Sequence, residues 1–400
     1  VYHNQPSGGA RRALYELGRN LSRNHEIDVY TLETADERFL SSGDFARKVE
    51  VRPFKRRSPL RFGLYLNEIR EHLDLGDLEG VCRSIASEID SQLYDVVLVD
   101  ACRFTQAPSV LAYLSTPTAY YCHEPPRRFI DPSCRPESAP LSLYERARIA
   151  WHRPARFFYD KQTAKLDRRN VARANVVLTN SEHNRGTIKR YYGRDALVCH
   201  LGVDSDRFVP NGATPSDYVL SVGALEPHKG FDFLVRAVAR CPVDSRPRLT
   251  IVGNTDAAGV GRHLRRLARD AAVELDIRVR IADEELVRLY QGAQAFVYAP
   301  HSEPFGLVVL EAMACGVPVV AVDEGGPRES VVDGVTGLLA ARQERTFADA
   351  LMRVLSDRSF AATLGAQARH QVERKWTWEA AANRVEAELA RIVSGKVAVA

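Results

Sequence analysis

The chain has 400 residues, 45% of them hydrophobic, and its 55 basic residues outnumber its 51 acidic ones by only four. This length is too great for one ordinary core and suits two domains, and a charge this modest gives no reason to expect a nucleic-acid partner. No apolar run approaches the roughly 18 residues that span a bilayer, and the seven scattered cysteines form no C-x-x-C pair, which argues against a zinc site or a disulfide scaffold and favours reduced thiols in a cytoplasmic protein.

The first residues predict a strand, a glycine turn and a helix. We interpret Val1-Tyr2-His3 as the end of a first strand whose start is absent from the sequence. Ser7-Gly8-Gly9-Ala10 then precedes apolar residues at helical spacing, namely Ala10, Ala13, Leu14, Leu17 and Leu21. A glycine turn at a helix N-terminus lets the backbone approach a phosphate closely, so Gly8 and Gly9 are candidate phosphate contacts.

Strand and helix signals then alternate through the first half, which predicts a parallel sheet covered by helices. Strands are expected at residues 27–32, 94–99, 118–122 and 176–179. Residues 39–78 interrupt this alternation like an insertion, and they include a basic stretch at residues 47–61 with seven arginines and lysines against Glu50 alone. Such a stretch either attracts an anionic partner or is a solvated basic surface.

His123 ends the predicted strand Thr118–Cys122, so it should face the ligand cleft at the carboxyl edge of the sheet. The region from Glu124 to about Lys165 also looks inserted. It carries aromatic residues among arginines, including Trp151, Phe157, Phe158 and Tyr159. A basic segment with aromatics can lie on a membrane surface, close over an acceptor pocket, or pack as an ordinary helix on the domain.

Residues 203–212, rich in Asp, Pro, Asn and Gly, are predicted to link two domains. The alternation resumes beyond them, with strands expected at residues 218–222, 248–252, 295–299 and 318–322. A terminal helix is predicted from Glu379 to Ile392.

Two glutamates eight positions apart are the most informative feature of the second half. Glu303 lies on the loop after a strand, and Glu311 lies about two turns into a helix that Gly316 should stop. Both can face one cleft beyond the strand, where the N–H groups around Phe305, Gly306, Leu307 and Val308 would suit a phosphate. The two carboxylates could accept hydrogen bonds from sugar hydroxyl groups, and the helix N-terminus beside them could bind a phosphate. Together they predict a site for a nucleotide sugar.

This stretch resembles the E-x7-E signature of family-four retaining glycosyltransferases. The resemblance continues through Gly316-Val317-Pro318-Val319-Val320-Ala321, Gly325-Gly326 and the run from Asp333 to Leu339. It is specific over residues 216–340 and weaker over most of residues 1–210. It implies the GT-B fold, in which two Rossmann-like domains face each other across a cleft: an acceptor-side domain (1–210), a donor domain (211–378) and a crossover helix (379–400).

The resemblance also assigns roles to single residues. It makes Gly8 and Gly9 the glycine loop of the first domain and His123 a contact of the transferred sugar. Gly223 and Lys229, within Ser221–Gly230, fall in the segment that meets the donor diphosphate, with Lys229 as its cation. The loop 278–282, with Arg280 and Ile281, becomes the reader of the nucleobase, which the sequence does not identify as uracil, guanine or adenine.

One departure concerns phosphate charge, because Ala224 stands where the family usually has arginine. His228, Arg11 or Arg12 are candidate substitutes. No cofactor or metal is expected. The D-x-D spacing of Asp204-Ser205-Asp206 falls in a stretch that looks like the family's G-V-D-x-x-x-F turn, so we interpret it as structural.

The sequence therefore predicts a retaining, metal-independent hexosyltransferase that uses a nucleotide diphosphate sugar. The expected acceptor is a lipid-linked or cell-surface glycan intermediate, which would place the protein peripherally on the inner face of the membrane. A soluble small molecule is the alternative acceptor. A catalytically silent homologue remains open, with Ala224 as its only hint. A dinucleotide-dependent oxidoreductase is disfavoured, because Ser7–Arg12 does not fit G-x-G-x-x-G.

Overall fold

The computed structural model describes residues 1–4, 8–38, 40–58, 64–130, 143–212, 214–254 and 259–395. Among these residues, no helix is both long and apolar enough to cross a membrane. Ser7, Cys134 and the rest of residues 131–142 lie outside the described part, as does the side chain of Trp151.

The first half of the described chain forms parallel strands with helices between them. Its strands are β1 (Asp28–Leu32), β2 (Lys48–Arg52), β3 (Val97–Asp100), β4 (Thr118–Cys122), β5 (Val176–Thr179) and β6 (Leu197–Val198). Its helices are α1 (Gly9–Leu21), α2 (Leu64–Ser91), α3 (Arg127–Ile130), α4 (Leu143–Arg173) and α5 (Glu182–Tyr192). β1 pairs with β2, and the order of the other strands is β3-β4-β5-β6.

Residues 1 and 2 join these two groups of strands. The Tyr2 N–H donates to the Tyr30 carbonyl of β1 at 3.2 Å, and the Asp100 N–H of β3 donates to the Val1 carbonyl at 2.8 Å. Val1 and Tyr2 therefore lie between β1 and β3, where a first strand was predicted. The chain consequently leaves Tyr2 at the carboxyl edge of the combined sheet, and Gly8 and Gly9 lie at the start of α1.

The second half forms one six-stranded parallel sheet. Its strands are β7 (Tyr218–Val222), β8 (Arg248–Gly253), β9 (Leu275–Val279), β10 (Ala295–Tyr298), β11 (Val319–Val322) and β12 (Gly337–Ala340). Its helices are α6 (Phe231–Ala239), α7 (Val260–Asp270), α8 (Asp283–Gly292), α9 (Leu307–Ala314), α10 (Pro327–Ser330), α11 (Glu344–Ser356) and α12 (Arg358–Lys375). The order β12-β11-β10-β7-β8-β9 reverses direction between β7 and β10, and open α/β sheets bind ligands at such a switch point.

The last helix, α13 (Trp378–Val393), crosses back onto the first half, as predicted. It packs against α1. The His25 imidazole lies 2.7 Å from the Glu386 carboxylate, and Arg384 donates to the His200 carbonyl at 3.1 Å. The fold is therefore the GT-B arrangement that the motifs implied.

Two predictions about local structure were wrong. Residues 39–78 are not an insertion, because they contain β2 and the start of α2, whose buried side chains recur at helical spacing: Leu75, Leu78, Cys82, Ile85, Ala86 and Ile89. The basic residues of this region mostly pair with acids, for example Arg57 with Asp74 at 2.7 Å. The predicted loop 278–282 is also shorter than expected, since its first two residues end β9.

Candidate active site

The switch point between β7 and β10 brings Lys229 and Glu303 together. Lys229 lies on the turn after β7, and Glu303 lies on the loop after β10, so adjacent strands place both at the carboxyl edge of the sheet. Lys229 Nζ lies 2.8 Å from Glu303 Oε2, and both side chains are largely buried. Burial alone raises the pKa of the Glu303 carboxyl, but the charges of Lys229 and Arg127 and further hydrogen bonds outweigh it and lower the pKa to about 2. The carboxylate is therefore ionised at neutral pH.

Glycines fix the path of the Glu303 loop. The Gly326 N–H donates to the Glu303 carbonyl at 2.8 Å. A Cβ at Gly325 would lie 2.5 Å from that carbonyl oxygen, and one at Gly326 would lie 2.4 Å from the Phe305 Cα. At Gly230 a Cβ would lie 1.9 Å from the Ala299 carbonyl oxygen. These backbone contacts explain why glycine stands at each position.

Side chains from the first domain also hold this loop. Arg127 of α3 donates to the His301 carbonyl at 3.0 Å and to the Ser302 carbonyl at 3.4 Å. Ser181, at the N-cap of α5, donates to the Pro304 carbonyl at 2.5 Å. Sequence reasoning missed both residues, because neither stands in a motif and both act across the domain interface. The position of Glu303 consequently depends on both domains.

Glu311 lies on α9, and its side chain is buried. The Tyr290 hydroxyl of α8 donates to Glu311 Oε2 at 2.8 Å. Burial raises the pKa of this carboxyl, against the lowering effect of Arg12, the Tyr290 hydrogen bond and Arg207. The carboxylate keeps further acceptor capacity beyond this one bond, as a contact with ribose hydroxyls requires.

The N-terminus of α9 lies between the two glutamates. Gly306 caps it with φ of +91°, a left-handed conformation that favours glycine. The glycine turn of the first domain approaches this helix end, since a Cβ at Gly9 would lie 3.2 Å from Leu307 Cδ1. The Phe305 side chain is buried, its ring 5.9 Å from that of Trp376, so only the backbone of Phe305 can contact a ligand. Val308, next along the helix, is partly buried against the core.

His123 follows β4, as predicted, and contacts a residue that sequence reasoning missed. Its Nε2 lies 3.0 Å from Oδ1 of Asp100, a buried carboxylate at the end of the neighbouring strand β3. The Asn180 and Asn184 amides donate to the His123 carbonyl at 3.1 and 2.8 Å. The signal for Asp100 was available, because it is the acidic residue that ends the adjacent buried strand.

The predicted base loop turns sharply at Arg280. This residue has a positive φ of 57°, rare outside glycine, and its N–H donates to the Gly253 carbonyl at 3.0 Å. Ile281 packs partly buried against the core. Asp283 follows at the start of α8, where it pairs with Arg12 at 3.3 Å and Arg207 at 2.7 Å. This ion cluster links the first domain to the loop.

The structure separates the three candidate substitutes for the arginine that Ala224 replaces. Arg11 is buried and donates to Glu37 at 3.0 Å and to the Leu40 carbonyl at 2.5 Å, so its guanidinium is engaged within the first domain. His228 lies 3.3 Å from the Glu226 carboxylate. Arg12 lies on the donor side, because its charge acts on Glu311 and it pairs with Asp283.

The structure also locates Gly223 and Asp204, two further residues that the sequence analysis singled out. Gly223 follows β7, and a Cβ there would lie 3.7 Å from the Lys229 side chain, so a donor group at Lys229 would pass close to its backbone. Asp204 Oδ1 accepts from the N–H groups of Asp206 and Arg207 at 3.1 and 3.0 Å. That carboxylate therefore closes a turn, in keeping with its structural interpretation.

Two family models match the chain. The model described as Glycosyltransferase Family 4 matches residues 7–207, half of the chain, and the model described as Glycosyl transferases group 1 matches residues 203–371. Relatives in sequence are named D-inositol 3-phosphate glycosyltransferase. The one from Streptomyces bingchenggensis is 33% identical over 237 residues, covering 53% of this chain and 52% of its own, and the one from Frankia alni is 35% identical over 221 residues, covering 50% and 54%. The chain thus spans about half the length of these relatives.

Solved structures resemble the whole chain in fold. Sucrose-phosphate synthase from Thermosynechococcus elongatus superposes with a TM-score of 0.73 at 20% identity, covering 99% of this chain and 96% of its own. HepE from Anabaena, in complex with UDP and glucose, superposes with a TM-score of 0.70 at 20% identity, covering 97% and 98%. With the E-x7-E geometry and the two facing sheets, these matches lead to one assignment: the chain belongs to glycosyltransferase family 4 and has the GT-B fold.

Proposed function

We propose that this protein transfers a hexose from a nucleotide diphosphate sugar to an acceptor hydroxyl, with retention of configuration and without a metal. The observation that carries the proposal is the Lys229–Glu303 pair at the switch point, with the α9 N-terminus beside it and Glu311 within that helix. Anabaena HepE, in complex with UDP-glucose in a further structure of the same fold, supports this donor class, and the names of the sequence relatives support glycosyl transfer.

In this proposal Lys229 and the α9 N-terminus neutralise the diphosphate, whose charge grows as it leaves. Glu303 accepts hydrogen bonds from the hydroxyls of the sugar, and His123 contacts the same sugar from the first domain. Glu311 accepts from the ribose hydroxyls, and the base lies against Arg280 and Ile281. Diphosphate binding would exchange the Glu303 partner of Lys229 for phosphate oxygens and so leave the carboxylate to the sugar.

Retention in this proposal follows a front-face path. The acceptor oxygen forms its bond to the anomeric carbon on the face from which the diphosphate departs, and the departing phosphate oxygen takes the acceptor proton. Glu303 and Glu311 are both engaged on the donor side, with Lys229 and Tyr290, which leaves neither of them as the nucleophile of a double displacement.

Two acceptor classes fit. The names of the sequence relatives favour a soluble phosphorylated polyol. A lipid-linked glycan at a membrane face is favoured by Phe157 and Phe158 on α4, whose side chains are 61% and 62% exposed beside Arg156. Tyr159, which we had grouped with them, is buried and its ring packs 5.5 Å from that of His72, so it cannot anchor a membrane.

Vesicle sedimentation separates these classes. With a membrane acceptor, the protein should bind anionic vesicles at low salt, and replacement of Phe157 and Phe158 by serine should weaken that binding severalfold. Replacement of Val243, an exposed apolar residue of the second domain, is the matched control. Parent protein that stays in the supernatant at low salt would leave the soluble acceptor as the proposal.

The reaction itself is tested by incubating the protein with nucleotide sugars and either acceptor, and following the product by NMR. The proposal expects an α-linked product from an α-linked donor, formed equally well in the presence of a metal chelator. An inverted product, or a rate that the chelator abolishes, would contradict it.

A further inference from the structure

A cavity of about 250 Å³ lies between the two domains beside the Glu303 loop. Ser302 and Pro304, the residues that flank Glu303, form one wall, and residues of α3 and α5 and the segment before α3 form the others. Complete ligand pockets span roughly 300–1,000 Å³. The cavity therefore suits one group of a ligand and is too small for a nucleotide sugar.

The described wall carries more cationic than anionic groups. Arg127 and Arg190 line it, with the imidazole of His183. Glu124, the carboxylate among the described wall residues, accepts from Arg127 Nε at 3.1 Å and Nη2 at 2.9 Å. Arg190 donates to the Thr187 hydroxyl at 3.0 Å and pairs with no carboxylate in the described part of the chain. Among the described residues, the charge of Arg190 thus faces the cavity without a carboxylate partner.

His183 reports the local field. Burial lowers the pKa of its imidazole, and the charges of Arg190, Arg127 and Arg328 lower it further, against the raising effect of Glu329. The same arginine charges that disfavour protonation of the His183 imidazole would attract an anion bound beside it.

We propose that this cavity binds a phosphate group of the acceptor. Arginine guanidinium groups match phosphate oxygens in geometry and charge, and the Thr187 hydroxyl adds a polar contact. Because the cavity adjoins the Glu303 loop, a phosphate held there would orient the rest of a small acceptor toward the donor sugar. The inference rests on the proposed glycosyl transfer and adds the chemical class of the acceptor to it.

The test compares two arginines of α5. Arg190→Gln removes the arginine charge that lines the cavity, whereas Arg185→Gln is the matched control, because Arg185 pairs with Asp195 at 2.8 Å and does not line the cavity. Inorganic phosphate is titrated while the His183 ring signals are followed by NMR. The signals should shift in the parent and in Arg185→Gln, with an affinity about tenfold or more weaker in Arg190→Gln. An unmoved parent signal, or equal affinities in all three proteins, overturns the proposal.

The source of the phosphate is resolved by two further probes. Binding of free D-inositol 3-phosphate that Arg190→Gln weakens, with uncharged inositol binding at least tenfold less tightly, assigns a soluble acceptor. Binding to phosphatidylinositol vesicles that Arg190→Gln weakens assigns a lipid headgroup, and failure of both overturns the acceptor assignment. Calorimetry with nucleotide sugars is run on the parent in parallel. If no donor binds, the glycosyl transfer proposal fails, whereas the phosphate titration still decides whether the cavity is an anion site.

Discussion

The two walls of the cleft hold their functional groups in different ways. On the second-domain wall, Lys229, Glu303 and Glu311 lie at or near one switch point. Glycines packed closely against the backbone fix the loop that carries Glu303. On the first-domain wall, His123 takes its orientation from Asp100, which lies 23 positions earlier on another strand. The functional residues of the second-domain wall therefore stand within recognisable motifs, whereas the carboxylate that orients His123 on the first-domain wall stands in no motif.

The comparison predicts that the largest loss of activity comes from the donor wall. Lys229→Ala should reduce turnover by about a hundredfold or more, the scale for losing one group that stabilises developing charge. Ala224 provides no second cation at the usual place. Arg240→Ala is the control, since it removes a surface arginine that pairs with Glu344 at 2.8 Å in the same domain. Rates for Lys229→Ala close to those of the parent would show that another group meets the diphosphate charge.

Replacement of Glu303 should change both the turnover and the pH dependence of the free energy of unfolding. Glu303→Gln is expected to reduce turnover more than nucleotide affinity, because the proposed role of this carboxylate is to hold the sugar and not the nucleotide. The pKa of Glu303 is lowered in the folded protein to about 2 from 4.5, so its ionisation stabilises the fold above about pH 4.5, and this contribution is lost as the pH falls toward 2. The contribution at neutral pH is of the order of 3 kcal/mol.

Urea unfolding of the parent and of Glu303→Gln between pH 3 and pH 7 measures this coupling. The difference in unfolding free energy between the two proteins should shrink as the pH falls below about 4.5. A difference that stays constant over this range would mean that the Lys229–Glu303 pair does not govern the titration.

Glu311 should affect binding more than turnover. Glu311→Gln is expected to weaken nucleotide binding by about 1–3 kcal/mol, the range for losing hydrogen bonds to a charged partner in a buried site. Tyr290→Phe is the matched comparison, because it removes the 2.8 Å hydrogen bond to Glu311 and the 3.4 Å one to the Val308 carbonyl but leaves the carboxylate. Calorimetry gives both affinities. If Glu311→Gln bound nucleotide as tightly as the parent, Glu311 would not be a ribose contact.

The smallest expected effect is a gain. Ala224→Arg restores the cation that the family usually carries and should raise turnover severalfold, with Ala224→Lys as a check that charge alone suffices. The assay is the same donor turnover measurement used for Lys229→Ala. Unchanged turnover would indicate that Arg12, across the interface, already supplies the second charge.

The contrast between the walls also explains what the sequence could and could not predict. The strands at 118–122, 176–179 and 218–222 appear with the predicted bounds, because continuous apolar runs mark buried parallel strands. Helix α2 was not predicted, because residues 39–78 were interpreted as an insertion that interrupts the alternation of strands and helices. Arg127 and Ser181 carry no local signal of their role, since their contacts depend on how distant segments meet. Asp100 could have been found, because it is the acidic residue that ends the strand beside β4.

The central claim is that the second-domain wall binds a nucleotide diphosphate sugar. Calorimetric titration of the parent and of Lys229→Ala with UDP-, GDP- and ADP-glucose tests it most directly. The account predicts saturable binding of at least one of these donors to the parent and a clear loss of affinity in Lys229→Ala. Failure of all three to bind the parent, or equal affinity in both proteins, would contradict it.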